Sequence, residues 1–341
     1  VWVDDRGRLR VGDIQPGSPA SMTQRAVAEV TASAVPLVRA GERVYWVNPS
    51  GAFVPALGHW SQLVQYLDLA TGRAGTAGPG QTVFASPGGR YLFMSQTATS
   101  LTETPVTGAG TPRQLNIPRG WYLPGGNGLA DPMIGEGLAT ANGIIVQSAE
   151  SPGCCRSAQT LAIWNPRSGQ VTVIGRERAV IDAYTPPGAG YSLLAWLPAA
   201  CPFPDNCQLR ITNTATLSTR TVRSPRPGGF AMGGAFSPDG TRLAVFLNAA
   251  SARAARLALV DAGTGAVRVA RRPLLMLGLD IGWARWLPDG THLIMGATTR
   301  AYLVDSATLS ARPFSFASGR GHNIGYSRDV NYSAAVVPLR R

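Results

Sequence analysis

The chain contains no lysine. All 31 of its basic residues are arginine, set against 19 acidic ones, for a net charge of +12. Charged residues fill only 15% of the 341 positions, and 45% are apolar, so the chain can bury a sizeable core and does not read as disordered. Long hydrophobic runs are missing. The nearest, residues 273–280, falls far short of the eighteen or so residues of a membrane span, so no transmembrane segment is expected. Val1 carries neither an initiator methionine nor a signal-peptide pattern, and we expect an export signal or anchor to have been removed with a leader. Catalytic signatures are missing too. There is no Gly-x-Ser-x-Gly elbow, no His-Glu-x-x-His and no phosphate-binding glycine loop.

What the chain does have is turn residues, with 40 glycines and 26 prolines broken up by short apolar runs. That pattern reads as many short strands joined by many turns. Phe236-Ser237-Pro238-Asp239-Gly240-Thr241-Arg242-Leu243 recurs fifty residues on as Trp286-Leu287-Pro288-Asp289-Gly290-Thr291-His292-Leu293. Recurrence at such a period signals a repeat architecture. Weaker copies begin at Leu37, Ala85, Thr140, Tyr184 and Tyr326, giving about seven turns, mostly forty to fifty-four residues apart. A second hairpin follows most of them, its third strand closed by Asp68, Asn165, Asn213, Asp261 or Asp305. An Asp or Asn there hydrogen-bonds the backbone of the following turn, so these carboxylates are expected to be structural.

Four strands per repeat and seven repeats predict an all-β, seven-bladed β-propeller of four-stranded antiparallel blades. The two Pro-Asp-Gly turns resemble the WD40-like repeats of TolB-type propellers. That resemblance implies a fold and no particular activity. Val1 to Val11 reads as a third-plus-fourth-strand hairpin, and Asn331 to Val337 stops after two strands. Pairing the N- and C-terminal strands in one blade would close the ring and remove two exposed sheet edges. Between Ile14 and Ala34 the Ser/Ala/Gln composition suggests a helical turn. No inter-domain linker is visible, so residues 1–341 are expected to form a single domain.

Four cysteines, Cys154, Cys155, Cys201 and Cys207, cluster in two loops. An even number in this arrangement suggests disulfides and an oxidising compartment. A zinc site fits poorly, since Cys154 and Cys155 are adjacent and no histidine lies near. Three pairings stay open: a Cys201–Cys207 bridge, a strained Cys154–Cys155 bridge, or bridges between the loops.

In a propeller the second-to-third-strand loops and the blade connections share one face. Here those are the long segments, and binding residues concentrate on long loops of a rigid scaffold. Candidates are His59 and Trp60 in the segment Pro49 to Ser61, and Trp121 and Tyr122 in Asn116 to Ala139. Arg156 and Phe203 lie in the cysteine loops, and Arg223, Arg226, Arg271, Arg272 and Arg320 in blade connections. Arg176 and Arg178 are placed there as well. The lysine-free, Ala/Gly/Pro-rich composition also fits codon bias in a GC-rich genome, an actinobacterial one by this reading. His292 sits at a strand start where its sister repeat has Arg242, which leaves His59 and His322 as the loop histidines. Asp131 and Glu136 are the loop carboxylates. The expectation is a non-enzymatic binding or scaffold propeller, extracellular or at the cell surface and monomeric. It would bind a protein or an anionic cell-envelope polymer, with nucleic acid disfavoured. No metal site and no cofactor are expected. The alternative is a propeller glycan hydrolase or lyase using loop carboxylates or His59.

Overall fold

A computed structural model describes residues 2–3, 8–15, 21–29, 38–54, 59–97, 99–107, 110–124, 137–149, 159–199, 207–226, 229–248, 254–275, 283–297 and 300–314. These residues are all-β apart from one 3-10 turn at Pro87–Gly89. An N-terminal sheet holds β1 (Trp2–Val3), β2 (Arg8–Gln15) and β3 (Ser21–Glu29). Sheet A holds β4 (Val38–Ala40), β5 (Arg43–Val54), β6 (His59–Asp68) and β7 (Ala74–Pro79). Sheet B holds β8 (Thr82–Ala85), β9 (Tyr91–Thr97), β10 (Ser100–Pro105) and β11 (Arg113–Asn116). A seven-stranded sheet follows. Its strands are β12 (Ala139–Thr140), β13 (Gly143–Ala149), β14 (Gln159–Trp164), β15 (Val171–Tyr184), β16 (Leu193–Pro198), β17 (Leu209–Asn213) and β18 (Thr219–Val222). Sheet E holds β19 (Phe230–Phe236), β20 (Arg242–Asn248), β21 (Ala254–Asp261) and β22 (Val267–Val269), with β23 (Leu274–Leu275) pairing back to β21. Sheet F holds β24 (Trp283–Trp286), β25 (His292–Ala297), β26 (Arg300–Asp305) and β27 (Ala311–Phe314).

Within each sheet the strands pair antiparallel, in chain order apart from β23. Sheets A, B, E and F each follow a four-strand path, so separate four-stranded sheets number four among the described residues, not the expected seven. The difference has a cause in β15. Its first half pairs with β14 and its second half, from Glu177 to Tyr184, pairs with β16. No proline or turn dipeptide interrupts residues 176–184, so the strand crosses from one hairpin set to the next without breaking. Two units, C (β12–β15) and D (β15–β18), thereby share a strand. The strands expected at Tyr326 to Val337, and with them ring closure, lie outside the described residues. The helical turn expected between Ile14 and Ala34 gives way to β3, which pairs with β2 from Arg8↔Glu29 to Gln15↔Ser21. A long β2 offers that segment a full ladder of backbone partners, which outweighs its weak helical composition.

The sheets stack face to face in chain order, and each core lies between two successive units. Tyr45, Val47 and Val64 of A meet Val83, Leu92 and Met94 of B. Phe84, Phe93, Leu101 and Leu115 of B meet Ile144, Val146 and Trp164 of C. Leu161 and Ile163 of C meet Leu194 and Trp196 of D. Ala195, Leu209 and Ile211 of D meet Leu243 and Val245 of E. Ala244, Phe246 and Leu259 of E meet Trp286, Leu293 and Met295 of F. Strand β20 shows why its sequence is a continuous apolar run. Successive side chains point to opposite faces, and both faces are covered, so Leu243 to Leu247 are all buried. This serial packing of twisted four-strand units is propeller-like.

Candidate functional site

Antiparallel meanders send their first–second and third–fourth turns to one end of the molecule. The second–third loops and the connections between units go to the other. The short-turn end is built from self-satisfied turns. Asp68 Oδ1 accepts from the amides of Ala70 (3.2 Å) and Thr71 (3.0 Å) and from the Thr71 hydroxyl (3.0 Å). Asp261 Oδ1 accepts from the Thr264 amide at 2.6 Å and hydroxyl at 2.8 Å, and Asp305 does the same with Thr308 at 2.7 and 2.8 Å. Asn165 and Asn213 close their turns through the amides of Arg167 and Ala215, both at 2.9 Å. These bonds hold the Asp68, Asp261 and Asp305 carboxyls below the usual range; the leading causes are the Thr71 amide, the Thr264 amide and the Thr308 hydroxyl. The expectation that these residues are structural holds at all five positions.

The Pro-Asp-Gly turns are equally self-contained, and they also lock neighbouring units together. Asp239 Oδ1 accepts from Ser237 Oγ at 2.5 Å and from the Thr241 amide at 3.1 Å. The Tyr184 hydroxyl of D donates to Pro238 O at 3.0 Å. Arg242 of E lies over the Trp286 ring of F, 4.9 Å from its centroid, and donates to Gly290 O at 2.6 Å and Ser306 Oγ at 3.0 Å. In the sister turn His292 Nδ1 sits 2.6 Å from Asp289 Oδ2, so this histidine serves its own turn. The C–D junction uses Asn142, whose Nδ2 donates to Gly190 O at 3.1 Å while its Oδ1 accepts from Thr214 Oγ1 at 2.5 Å.

The long-loop end differs. Arg223 and Arg226 follow β18, Arg271 and Arg272 follow β22, and all four are exposed. Arg256 Nη1 donates to Ala270 O at 3.1 Å and also to Arg271 O, which holds the second pair's backbone in place. Trp121 and Tyr122 follow β11 on the same end. Trp121 is half-buried and packs against the B–C core, and Tyr122 exchanges two backbone hydrogen bonds of 2.8 Å with Gln147. These six candidates therefore share one end, though the two aromatics are partly committed to packing.

Other candidates fall elsewhere. His59 and Trp60 were expected in a loop, but they open β6 and pair with Val54 and Phe53. The hairpin extends further than its composition suggested, because β5 and β6 keep pairing past a register shift between Asn48 and Ala52. Only residues 55–58 are left as the connection. Arg176 likewise lies in β15, opposite Thr160, not in a connection. Cys207 is buried in the D–E core. Arg156, Phe203, Arg320, Cys154, Cys155, Cys201, His322, Asp131 and Glu136 lie outside the described residues, as do the loop centres that would carry a catalytic set.

One residue that sequence reasoning passed over is Glu177. It is 2% exposed, and burial pushes its carboxyl up to about 7. It pairs with Gln159 on one side and Pro198 on the other, at the point where β15 passes from unit C to unit D. Both cysteine loops spring from strands that flank it, one before β14 and one after β16. The only signal in the sequence was a carboxylate placed between two arginines, Arg176 and Arg178, in a turn-free strand that also carries Asp182. Among the described residues no group of three or more His, Cys, Asp or Glu side chains is arranged to hold a metal. No helix there is long and apolar enough to cross a membrane.

No family model matches the chain. No curated protein matches it in sequence. Solved structures do share its fold. An oligogalacturonate lyase in complex with manganese superposes with a TM-score of 0.59 over 89% of this chain and 84% of its own, at 14% identity. The oligogalacturonate lyase of Vibrio parahaemolyticus gives 0.54 over 90% and 85%, at 12% identity. TolB from Acinetobacter baumannii is also matched, at 0.46 over 86% and 66% and 14% identity. The likeness is one of fold. This chain has the propeller-like architecture that its repeated turns implied.

Proposed function

We propose that this protein is a non-enzymatic binding propeller that presents its long-loop end to an anionic ligand. The observation that carries the reading is the opposite use of charge at the two ends. At the short-turn end Asp68, Asp239, Asp261, Asp289 and Asp305 are consumed by their own turns. At the long-loop end Arg223, Arg226, Arg271 and Arg272 stand exposed. Guanidinium groups suit planar bidentate pairing with carboxylate or phosphate, so an acidic glycan or phosphate-bearing envelope polymer is the ligand class that fits best. An acidic protein surface is the other partner of this chemistry. In this reading Trp121 and Tyr122 supply the apolar rim.

The finer architecture belongs to the same proposal. Residues 1–341 form one monomeric domain of seven blades, with C and D counted as two and the terminal strands completing the seventh. The protein is exported or held at the cell surface. The disulfides expected of its four cysteines would fit that placement, since such bonds persist in oxidising compartments. A second reading, a lyase or hydrolase on acidic glycans, draws on Glu177, whose carboxyl titrates near neutrality as a general acid requires. The structural likeness to oligogalacturonate lyases makes that substrate class the natural probe for both readings.

Titration with an oligogalacturonate series separates them. Binding that weakens steeply with added salt and leaves the oligosaccharide intact supports the binding reading. Appearance of unsaturated or shortened products, lost in Glu177→Gln, would transfer the assignment to the enzyme. If Arg223→Ala, Arg226→Ala, Arg271→Ala and Arg272→Ala together leave affinity unchanged, the binding face is misplaced.

A further inference from the structure

Arginines that reach from one unit to the next are met by acceptors. Arg220 of D donates from Nη1 to Thr264 O of E at 3.1 Å. Arg268 of E donates from Nη1 to Ala307 O (2.9 Å) and from Nη2 to Ser306 O (2.6 Å) of F. Among the described residues three arginines lie over aromatic rings, and two of them are met as well. Arg242, over Trp286, has Gly290 O and Ser306 Oγ. Arg43 lies 4.4 Å from the centroid of Tyr66, and its Nε sits 3.4 Å from Asp68 Oδ2. The third is Arg210 of β17, whose guanidinium carbon lies 5.0 Å from the centroid of Trp196. Among the described residues no acceptor meets it, and its Nε is buried without a partner.

The ring beneath that guanidinium is fixed from several sides. Trp196 is fully buried and packs with Leu161 and Ile163 in the C–D core. Its Nε1 donates to Thr212 Oγ1 at 2.9 Å. Its six-membered ring lies close to Gly175 of β15, where an added Cβ would come within 2.7 Å of it. Glycine at that position lets the indole approach the strand of the neighbouring unit. Arg210 stands opposite Trp196 on one side and Thr221 on the other, so all three share one face of D. Thr221 is exposed and Arg210 is half-buried. With Nε shut away, the open part of the fork is its outer pair of nitrogens, Nη1 and Nη2.

We infer that Arg210 forms an anion site at the C–D junction, where Nη1 and Nη2 grip one carboxylate of an acidic sugar end-on. The Thr221 hydroxyl stands beside that carboxylate as a further hydrogen-bonding group. A buried polar group without a partner calls for a physical reason. An arginine oriented by an aromatic ring and given no protein acceptor is one left open for a ligand. Stacking sets the fork in advance, so little side-chain freedom is lost on binding. A lone planar guanidinium matches the single charge and flat shape of a carboxylate. A phosphate monoester carries nearly two charges and is met by clusters of arginine. The choice of a sugar rests on the ligand class proposed above. The carboxylate site does not, since none of Arg223, Arg226, Arg271 and Arg272 takes part in it.

Nitrogen-15 NMR of the arginine side chains reads this site on the full chain. The Arg210 Nε–H peak is assigned by its absence in Arg210→Lys. Galacturonate monomer should move that peak saturably in the parent. It should do so equally in the chain carrying Arg223→Ala, Arg226→Ala, Arg271→Ala and Arg272→Ala, where only the Arg210 site is left to read. The neutral methyl ester of galacturonate should not move it. In the same four-substitution background, calorimetry should show Arg210→Lys raising the Kd for galacturonate about tenfold or more, since lysine offers no planar fork. An unchanged Kd would remove Arg210 from the site. A peak that moves with glycerol phosphate and not with galacturonate would overturn the carboxylate assignment. A peak unmoved by either would overturn the site, whatever the long-loop end binds. If the shift vanishes in the four-substitution chain, it was relayed from the long-loop end, and the separate site is wrong.

Discussion

The two ends of this molecule spend the same residue types on different tasks. At the short-turn end the closing carboxylates face their own turns and several side chains reach across to the adjacent unit, although Arg73, Arg90 and Arg167 are exposed there. Asp261 holds Thr264, Tyr184 reaches Pro238, and Arg242 reaches Gly290. At the long-loop end Arg223, Arg226, Arg271 and Arg272 project into solvent. An arginine bonded to two carbonyls contributes to stability and is lost to ligand binding. An exposed arginine contributes little to stability and is available. Substitutions should therefore separate cleanly, with stability lost at one end and binding at the other.

The largest effect is expected at Gly240. Its φ is +68°, and an added Cβ would lie 2.0 Å from the Tyr184 ring. Gly240→Ala should cost about 3 kcal/mol or more in urea unfolding, since strain and a rigid aromatic contact add. Gly290, in the sister turn, has φ +63° and open space around it, so Gly290→Ala should cost only about 1 kcal/mol. Equal costs for the two would show that the Tyr184 contact does not matter.

Glu177 comes next, and its pH dependence has a definite sign. Its folded carboxyl titrates near 7, above its ordinary value of 4.5. The folded state binds the proton more tightly, so this residue lowers stability as pH rises from about 4.5 to 7. Glu177→Gln should flatten that fall and leave the variant more stable than the parent at pH 8. A variant equally pH-sensitive across that window would show that another group is responsible.

Asp68, Asp261 and Asp305 have the opposite sign. Their folded carboxyls are held low, so their contribution is complete above the ordinary carboxylate range and is lost as pH falls through the depressed value. Asp261→Ala should cost about 1 kcal/mol at neutral pH, as loss of a turn-closing acceptor does, and should weaken acid sensitivity below about pH 4. Binding at the long-loop end should not change.

The smallest effect is a gain. The fourth residue after each closing Asp or Asn sits in the left-handed region, and it is glycine at Gly72, Gly169 and Gly265 but leucine at Leu217 (φ 60°) and Leu309 (φ 58°). Leu217 is exposed, so Leu217→Gly should raise the melting temperature slightly by relieving strain of about 1 kcal/mol. Leu309 packs against the E–F core, and Leu309→Gly should gain less or nothing. A larger gain at Leu309 would mean that its packing is weak.

Local chemistry made much of this legible before any coordinates. The Pro-Asp-Gly turns and the closing Asp68, Asn165, Asn213, Asp261 and Asp305 act within five residues of themselves, so sequence spacing alone locates them and the strands they join. The long-loop placement of Arg223, Arg226, Arg271 and Arg272 follows from the same parity of turns. The continuity of β15 was not legible, because nothing local distinguishes one strand of fourteen residues from two that meet. His59 and Trp60 misled for the related reason that hairpin length depends on what the partner strand offers.

Sequence by itself therefore determined the strand–turn repeat, its period and the structural role of its carboxylates, because each depends on neighbours in the chain. Tertiary structure alone decided that Glu177 is buried, that Arg242 and Arg268 tie one unit to the next, and that Trp121 is shared between core and surface. Those outcomes depend on residues from different strands, distant in the chain, being brought within a few ångströms, and only the packed fold specifies that distance.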